Sequence, residues 1–184
     1  MLLSRTGNAW GIPFTLSKAV TLDAGSHAIE IAYKLAGLPP DLRLHLAVEF
    51  NFAGMPAAAP GRFFYDELGR ELGDLGQRLD LPHVRSIGLV DDWLDIDAAV
   101  SFGQASNGAT TCLWAFPIQS VSQSEGGFEL VHQSVVVMPH WIVTPAADGT
   151  WRVSLRLDLG RFSARDRRAI SGLTASAKAG SAVR

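Results

Sequence analysis

Hydrophobic and polar residues alternate with a period of two along most of this chain. The clearest case is RLHLAVEFNF at residues 43–52, where every even position is apolar. Side chains of a β-strand point alternately to its two faces, so this alternation predicts one long half-buried strand. The same pattern predicts strands over 14–22, 28–36, 93–102 and 151–159, and less regular strands over 62–65, 85–90, 110–118 and 132–138.

Turn-forming residues separate these segments, and helical signals are scarce. YDELGRELGDLG at 65–76 is rich in helix formers, but glycines interrupt it and favour a loop. SARDRRAI at 163–170 has Ser163 and Asp166 at the spacing of a capping box, which predicts a short helix. We expect the remaining tail to be disordered because alanine, serine and glycine dominate it.

The strand pattern defines a fold class. Ten to twelve strands, each with one apolar face, predict an all-β protein made of two antiparallel sheets packed face to face. This is a large two-sheet antiparallel β-sandwich, and we place it at residues 1–160. Residues 161–184 form a separate tail with six basic residues and one acid.

Composition narrows the class of partner and the compartment. Of 184 residues, 47% are hydrophobic and 18% are charged, as in a folded globular protein. A formal net charge of −2 gives no reason to expect nucleic acid or an anionic membrane as partner. No apolar run approaches the about 18 residues of a membrane helix, and we find no signal peptide. The single cysteine, Cys112, excludes an internal disulfide and favours a cytoplasmic protein.

Polar residues on the predicted 43–52 strand are the first candidates for chemistry. His45, Glu49 and Asn51 share one face, and alternate residues lie about 6.5–7 Å apart along a strand. Glu49 and Asn51 are therefore spaced to contact one bound polar molecule. Alternatively, these side chains coat the solvent face or pair with charges on a neighbouring strand.

Metal ligands are not indicated. LVDDWLDID at 89–97 has four aspartates but lacks the spacing and central glycine of a calcium loop. On a strand, Asp95 and Asp97 would face the same way and be merely exposed. His132 and His140 have no companion at zinc spacing, so we expect no metal or other cofactor.

Five tryptophans serve either a sandwich core or a sugar-stacking surface. Trp93 and Trp141 stand at the beginnings of predicted strands and are therefore the better candidates for exposure.

The run FPIQSVSQSEGGFELVHQS at 116–134 is unusually polar for a segment between two hydrophobic strands. A hairpin tip explains the glycines but not the serines and glutamines before them. We predict that Gln119, Gln123 and Glu125 lie at the rim of the sandwich and are at least partly exposed. Gly126 or Gly127 should occupy the turn position with positive φ.

Three segments together resemble a known family. VEFNF (48–52), LVDDWLDIDAAVSF (89–102) and LWAFPIQSVSQSEGGFELVHQSVVVMPHW (113–141) look like the C-terminal β-sandwich domain of glycoside hydrolase family 57 α-amylases and 4-α-glucanotransferases. The resemblance covers roughly residues 10–157 and implies a supersandwich of the galactose mutarotase type. The matching segments contain the candidate residues for carbohydrate binding or for a domain interface, which are Glu49, Asn51, Trp93, Gln119, Ser122, Gln123 and Glu125.

The resemblance also implies a partner. Such enzymes carry a (β/α) barrel ahead of this domain, with a glutamate nucleophile and an aspartate acid/base held about 5–5.5 Å apart for a retaining mechanism. Neither catalytic motif is found in this chain, so we expect no catalytic residues in it and no glucan hydrolysis by it alone. The expected partners are that barrel and an α-glucan or maltooligosaccharide.

Two alternatives remain open at the level of sequence. The chain is an autonomous carbohydrate-binding module if exposed aromatic rings lie coplanar beside amides. It is an aldose-epimerase-like enzyme if Glu49 and one of the histidines converge on a sugar ring. The histidines with that potential are His45, His132 and His140.

Overall fold

The fold is all-β, as the alternation predicts. The computed structural model describes residues 1–124 and 126–162. None of the described residues forms a helix that is long and apolar enough to span a membrane. The strands in this part of the chain are β1 (Leu2–Ala9), β2 (Ile12–Thr21), β3 (Ala28–Ala36), β4 (Leu44–Ala47), β5 (Phe50–Phe52), β6 (Arg62–Asp66), β7 (Glu71–Asp74), β8 (Leu79–Leu81), β9 (Ser86–Asp91), β10 (Ile96–Phe102), β11 (Cys112–Ser124), β12 (Gly127–Val143) and β13 (Trp151–Gly160).

Two antiparallel sheets form the sandwich. The larger sheet has the strand order β1-β2-β3-β13-β10-β9-β6-β7. The smaller sheet has the order β4-β12-β11-β8, and β5 also pairs with β12. All these pairs are antiparallel, which is the arrangement that one-sided strands require.

The core lies between the sheets and consists of the apolar positions of the alternating strands. One group of buried side chains surrounds Trp141 and Trp151, whose ring centroids are 5.8 Å apart. A second group packs Phe64, Leu89 and Val100 of the larger sheet near Leu113 of the smaller one. Burial of these side chains is the main driving force for the fold.

The predicted strand at 43–52 is divided into β4 and β5. The register with β12 is the same on both sides of the break, since His140 faces Ala47 and Val137 faces Phe50. Between these pairs lies Pro139, which has no N–H to donate to the neighbouring strand. Val48 still donates its own N–H to the Pro139 carbonyl at 3.0 Å. One proline on the partner strand therefore interrupts the ladder without shifting it.

Other elements differ from the sequence prediction. β1 was not predicted, and 65–76 is not a continuous loop because it contains β7, paired with β6. The predicted strand at 93–102 begins only at Ile96, because the chain turns at 92–95 and Asp95 has a φ of 57°. Asp95 and Asp97 are therefore not neighbours on one strand face. The predicted helix at 163–170 lies outside the described residues.

Candidate interaction surface

The polar run lies in a two-stranded extension of the smaller sheet. β8 pairs with β11 only at Leu113–Ala115, and β5 pairs with β12 only at Val135–Val137. From these pairs towards the Ser124–Gly127 pair, β11 and β12 have only each other among the described strands. We call residues 119–124 and 127–133 the ribbon. The ribbon therefore has fewer neighbouring strands than the rest of the sheet, and isolated two-stranded ribbons are marginally stable in water.

The register of the ribbon sorts its side chains onto two faces. Gln119 pairs with His132, Val121 with Leu130, and Gln123 with Phe128. Residues that are directly opposite in an antiparallel pair lie on the same side of the sheet. We call this side the apolar face, defined by Gln119, Val121, Gln123, Phe128, Leu130 and His132.

The apolar face exposes large hydrophobic side chains. Val121 is 67%, Leu130 is 64% and Phe128 is 77% exposed. The opposite face carries Ser120, Ser122, Val131 and Glu129, of which Val131 is 38% exposed. This difference between the two faces is typical of a sheet that packs one side against another surface.

The base of the ribbon is fixed to the sandwich. The His132 Nε2 atom donates to the carbonyl oxygen of Met55 at 2.9 Å, which leaves its buried Nδ1 without a partner among the described residues. The register shifts by one residue at Ile118/Gln119, so Gln133 is an extra residue there. Gln133 donates from Nε2 to the Ser120 hydroxyl at 2.9 Å.

The predicted exposure of the polar motif is confirmed at Gln119 and Gln123, but the apolar residues between the polar ones were not predicted. Gln119 and Gln123 are exposed, and Ser122 is half-buried on the opposite face. Gly127 has a φ of 120°, as predicted for one of the two glycines. Glu125 lies outside the described residues. The signal that was available is the alternation of Val121 with serines and of Phe128 and Leu130 with Glu129.

Glu49 and Asn51 are both exposed and contact each other. Asn51 donates from Nδ2 to Oε1 of Glu49 at 2.7 Å. Its Oδ1 atom accepts from the buried Ser134 hydroxyl at 3.1 Å. Asn51 therefore links β5 to a neutral hydroxyl of β12, whereas the alternative considered from the sequence was pairing with charges on a neighbouring strand.

Trp93 is 79% exposed, as predicted, in the turn between β9 and β10. The buried Asp91 carboxylate organises this turn by accepting the backbone N–H groups of Trp93 and Leu94, each at 3.0 Å. The guanidinium of Arg62 lies 5.8 Å from the Trp93 ring centroid. The prediction that Trp141 is exposed was wrong, because its ring is 1% exposed in the core. Its indole N–H donates to the Thr111 hydroxyl at 2.9 Å.

A pair of histidines occupies the outer face of the smaller sheet. His45 Nε2 and His140 Nδ1 lie 2.9 Å apart, and the Trp114 ring centroid is 4.0 Å from that of His140. A cavity of about 280 Å³ adjoins them, with Cys112 in its lining. Burial lowers the pKa of His140 below its ordinary value of 6.5, and His45 lowers it further, while Asp80 acts in the opposite direction.

The acid–base residues named for an epimerase have separate hydrogen-bond partners. His45 contacts His140, Glu49 accepts from Asn51, and His132 donates to a backbone carbonyl. Within residues 1–124 and 126–162, no group of three potential ligands is arranged to hold a metal ion.

The fold and this surface define a large two-sheet β-sandwich domain with an exposed apolar face on one extended ribbon. Comparison with known proteins identifies its kind. The chain belongs to the family described as "Alpha-amylase/4-alpha-glucanotransferase, C-terminal", which matches residues 1–155. This confirms the resemblance in its coarse form, as a C-terminal domain of enzymes of that type. The search of curated proteins finds no match.

Two solved structures share the fold. The 4-alpha-glucanotransferase from Thermococcus litoralis matches with a TM-score of 0.59 and 16% identity, over 88% of this chain and 21% of that one. A putative aldose 1-epimerase from Escherichia coli K12 matches with a TM-score of 0.52 and 10% identity, over 88% of this chain and 65% of that one. The chain thus spans about a fifth of the glucanotransferase. These likenesses confirm the large sandwich of the epimerase type.

Proposed function

We propose that this chain is the non-catalytic C-terminal domain of an α-glucan hydrolase or 4-α-glucanotransferase, and that it packs against the catalytic domain and stabilises it. The observation that carries the proposal is the family match over residues 1–155. The separate hydrogen-bond partners of Glu49, His45 and His132 support a role without acid–base chemistry.

We further propose that the catalytic domain is a barrel of glycoside hydrolase family 57, the family that the sequence resembles. Its retaining mechanism would use the barrel's own two carboxyl groups. The polar residues of the ribbon, Gln119 and Gln123, serve the domain interface in this proposal, because exposed aliphatic and aromatic side chains lie between them. A cytoplasmic location is consistent with the single cysteine.

Activity measurements on the chain alone test the non-catalytic role. Incubation with maltoheptaose should release no reducing ends and form no longer or shorter oligosaccharides by mass spectrometry. Polarimetry should detect no mutarotation of glucose or galactose. Mutarotation that disappears in Glu49→Gln would instead establish the epimerase alternative.

Calorimetric titration distinguishes a glucan-binding module from an interface domain. We expect no heat change with maltooligosaccharides at millimolar concentration. Saturable heat that is lost in Trp93→Ala would establish a carbohydrate-binding module, since exposed aromatic rings are the usual platforms for sugars. Trp10→Ala is the matched control, because Trp10 is 87% exposed at the β1–β2 turn.

A further inference from the structure

The apolar face of the ribbon is the continuation of the core-facing side of the smaller sheet. Along β11, the buried Leu113 and Ala115 alternate in phase with Gln119, Val121 and Gln123. Strand alternation therefore directs Val121 to the side that faces the larger sheet. The two positions differ in burial, since Leu113 is fully buried whereas Val121 is 67% exposed.

The neighbouring strand β12 shows the same change from buried to exposed apolar residues. A bulge in β12 shifts its alternation by one residue. Val135 and Val137 of β12 are fully buried, whereas Phe128 and Leu130 are largely exposed. The extra residue Gln133 lies between these two pairs. Without the extra residue, simple alternation from Val135 would place Glu129 on this side and Phe128 on the other. The bulge therefore brings the apolar side chains of both strands onto one face.

From this geometry we propose that the apolar face of the ribbon is the docking surface for the catalytic domain, whose surface would cover Val121, Phe128 and Leu130 where the larger sheet does not. The inference rests on the proposed function and names the residues through which the two domains meet. A sheet face with the spacing and side chains of a core is suited to a permanent, dry contact.

The catalytic domain is the occupant that the observations favour. The family is a C-terminal one, and the structurally similar glucanotransferase has about four-fifths of its chain outside the matched part. The exposed part of this face consists of amides and hydrocarbon and carries no lysine or arginine to attract nucleic acid or an anionic membrane. Gln119 and Gln123 provide hydrogen bonds at the edge of the patch, as interface rims usually do.

Site-specific photocrosslinking in the intact enzyme tests the assignment, whether the domain and its catalytic partner form one polypeptide or two. The probe variants are Phe128→p-benzoylphenylalanine and Val121→p-benzoylphenylalanine. The matched control is Ser122→p-benzoylphenylalanine, one residue away on the opposite face. We expect crosslinks from positions 121 and 128 to peptides of the catalytic domain, in at least fivefold higher yield than from position 122.

Other crosslinking outcomes would overturn the inference. Equal yields from both faces, crosslinks only to a second copy of this domain, or no crosslinks from position 128 would each exclude this docking surface. If catalytic-domain peptides instead crosslink elsewhere on the sandwich, the proposed function stands and only the docking surface is wrong. If no glucan-processing domain accompanies the chain, both proposals fall.

A second measurement does not depend on the photoreactive group. Where the two domains form one polypeptide, the double variant Phe128→Ser/Leu130→Ser should increase the rate of limited proteolysis between them at least tenfold. Trp10→Ser, which removes an exposed ring away from the ribbon, should leave that rate within twofold of wild type. Circular dichroism of both variants verifies that the sandwich remains folded. Equal proteolysis rates in the folded variants would contradict the assignment.

Discussion

The His45 Nε2 and His140 Nδ1 atoms lie 2.9 Å apart, joining β4 to β12 on the outer face of the smaller sheet. One ring donates to the other, so the contact requires at least one neutral imidazole acting as acceptor. The Nε2 atom of His140 is buried and has no partner among the described residues. Protonation of both rings would place two positive charges in contact, which the fold opposes.

The free energy of unfolding should therefore depend on pH through His140. Burial, and next the neighbouring His45, lower the pKa of His140 below 6.5 in the folded state. Below that pH the unfolded chain binds more protons at this site, so stability decreases as pH falls from 6.5 towards the lowered folded pKa. Urea unfolding between pH 5 and 7.5 should show this loss, and His140→Gln should reduce its slope. The exposed control His27→Gln should keep the wild-type slope, and an unchanged slope in His140→Gln would contradict the prediction.

Loss of the Thr111 hydroxyl should destabilise the core beneath Trp141. The indole N–H of Trp141 donates to Thr111 Oγ1 at 2.9 Å, and both residues are buried. Thr111→Val keeps the shape of the side chain but leaves the N–H unsatisfied, which should cost about 1–3 kcal/mol. Thr111→Ser retains the hydroxyl and should cost less. Thermal and urea unfolding measure both variants, and equal losses would show that the hydrogen bond is unimportant.

The alternation of side chains was sufficient to predict the class of the fold, because period two reports directly on one-sided strands. It was not sufficient to predict strand ends that depend on a distant partner. The division of 43–52 results from Pro139, about 90 residues further along the chain. The interior position of Trp141 likewise depends on packing against Trp151 across the sandwich.

Only part of the candidate surface could be predicted, because the rest depends on how two strands pair. The exposure of Gln119 and Gln123 follows from their polarity, and the prediction was confirmed for both. The apolar face was not predicted because it depends on the pairing of Val121 with Leu130 and on the bulge at Gln133. Register joins two segments that have no recognisable relation in sequence.

Addition of a methyl group at Gly88 should destabilise the larger sheet. A Cβ atom there would lie 2.0 Å from Tyr65 Cε1, within the volume of the ring. The ring cannot move aside easily, because the Tyr65 hydroxyl donates to Asp97 at 2.7 Å. Gly88→Ala should therefore cost about 1–3 kcal/mol by overpacking, as measured by chemical unfolding.

Gly54→Ala is the matched control for this substitution. A Cβ atom at Gly54 would meet nothing within 4 Å, so the same chemical change should alter stability by no more than about 0.5 kcal/mol. Similar losses in the two variants would show that Tyr65 does not restrict Gly88.

The ion pair between Asp91 and Arg62 should stabilise the turn that presents Trp93. Asp91 is fully buried, and its Oδ2 atom accepts from Arg62 Nε at 2.9 Å. Its Oδ1 atom accepts two N–H groups of the turn. Asp91→Ala removes both functions and leaves a guanidinium that is only 12% exposed without its partner. Loss of one member of a buried pair should cost about 3–5 kcal/mol.

The double variant Asp91→Ala/Arg62→Met should be less destabilised than Asp91→Ala alone, because no unpaired charge remains. The exposed Asp23→Asn should leave stability unchanged. Urea unfolding of the wild type, Asp91→Ala, Arg62→Met and the double variant measures this coupling, and strictly additive losses would show that the pair contributes no interaction energy.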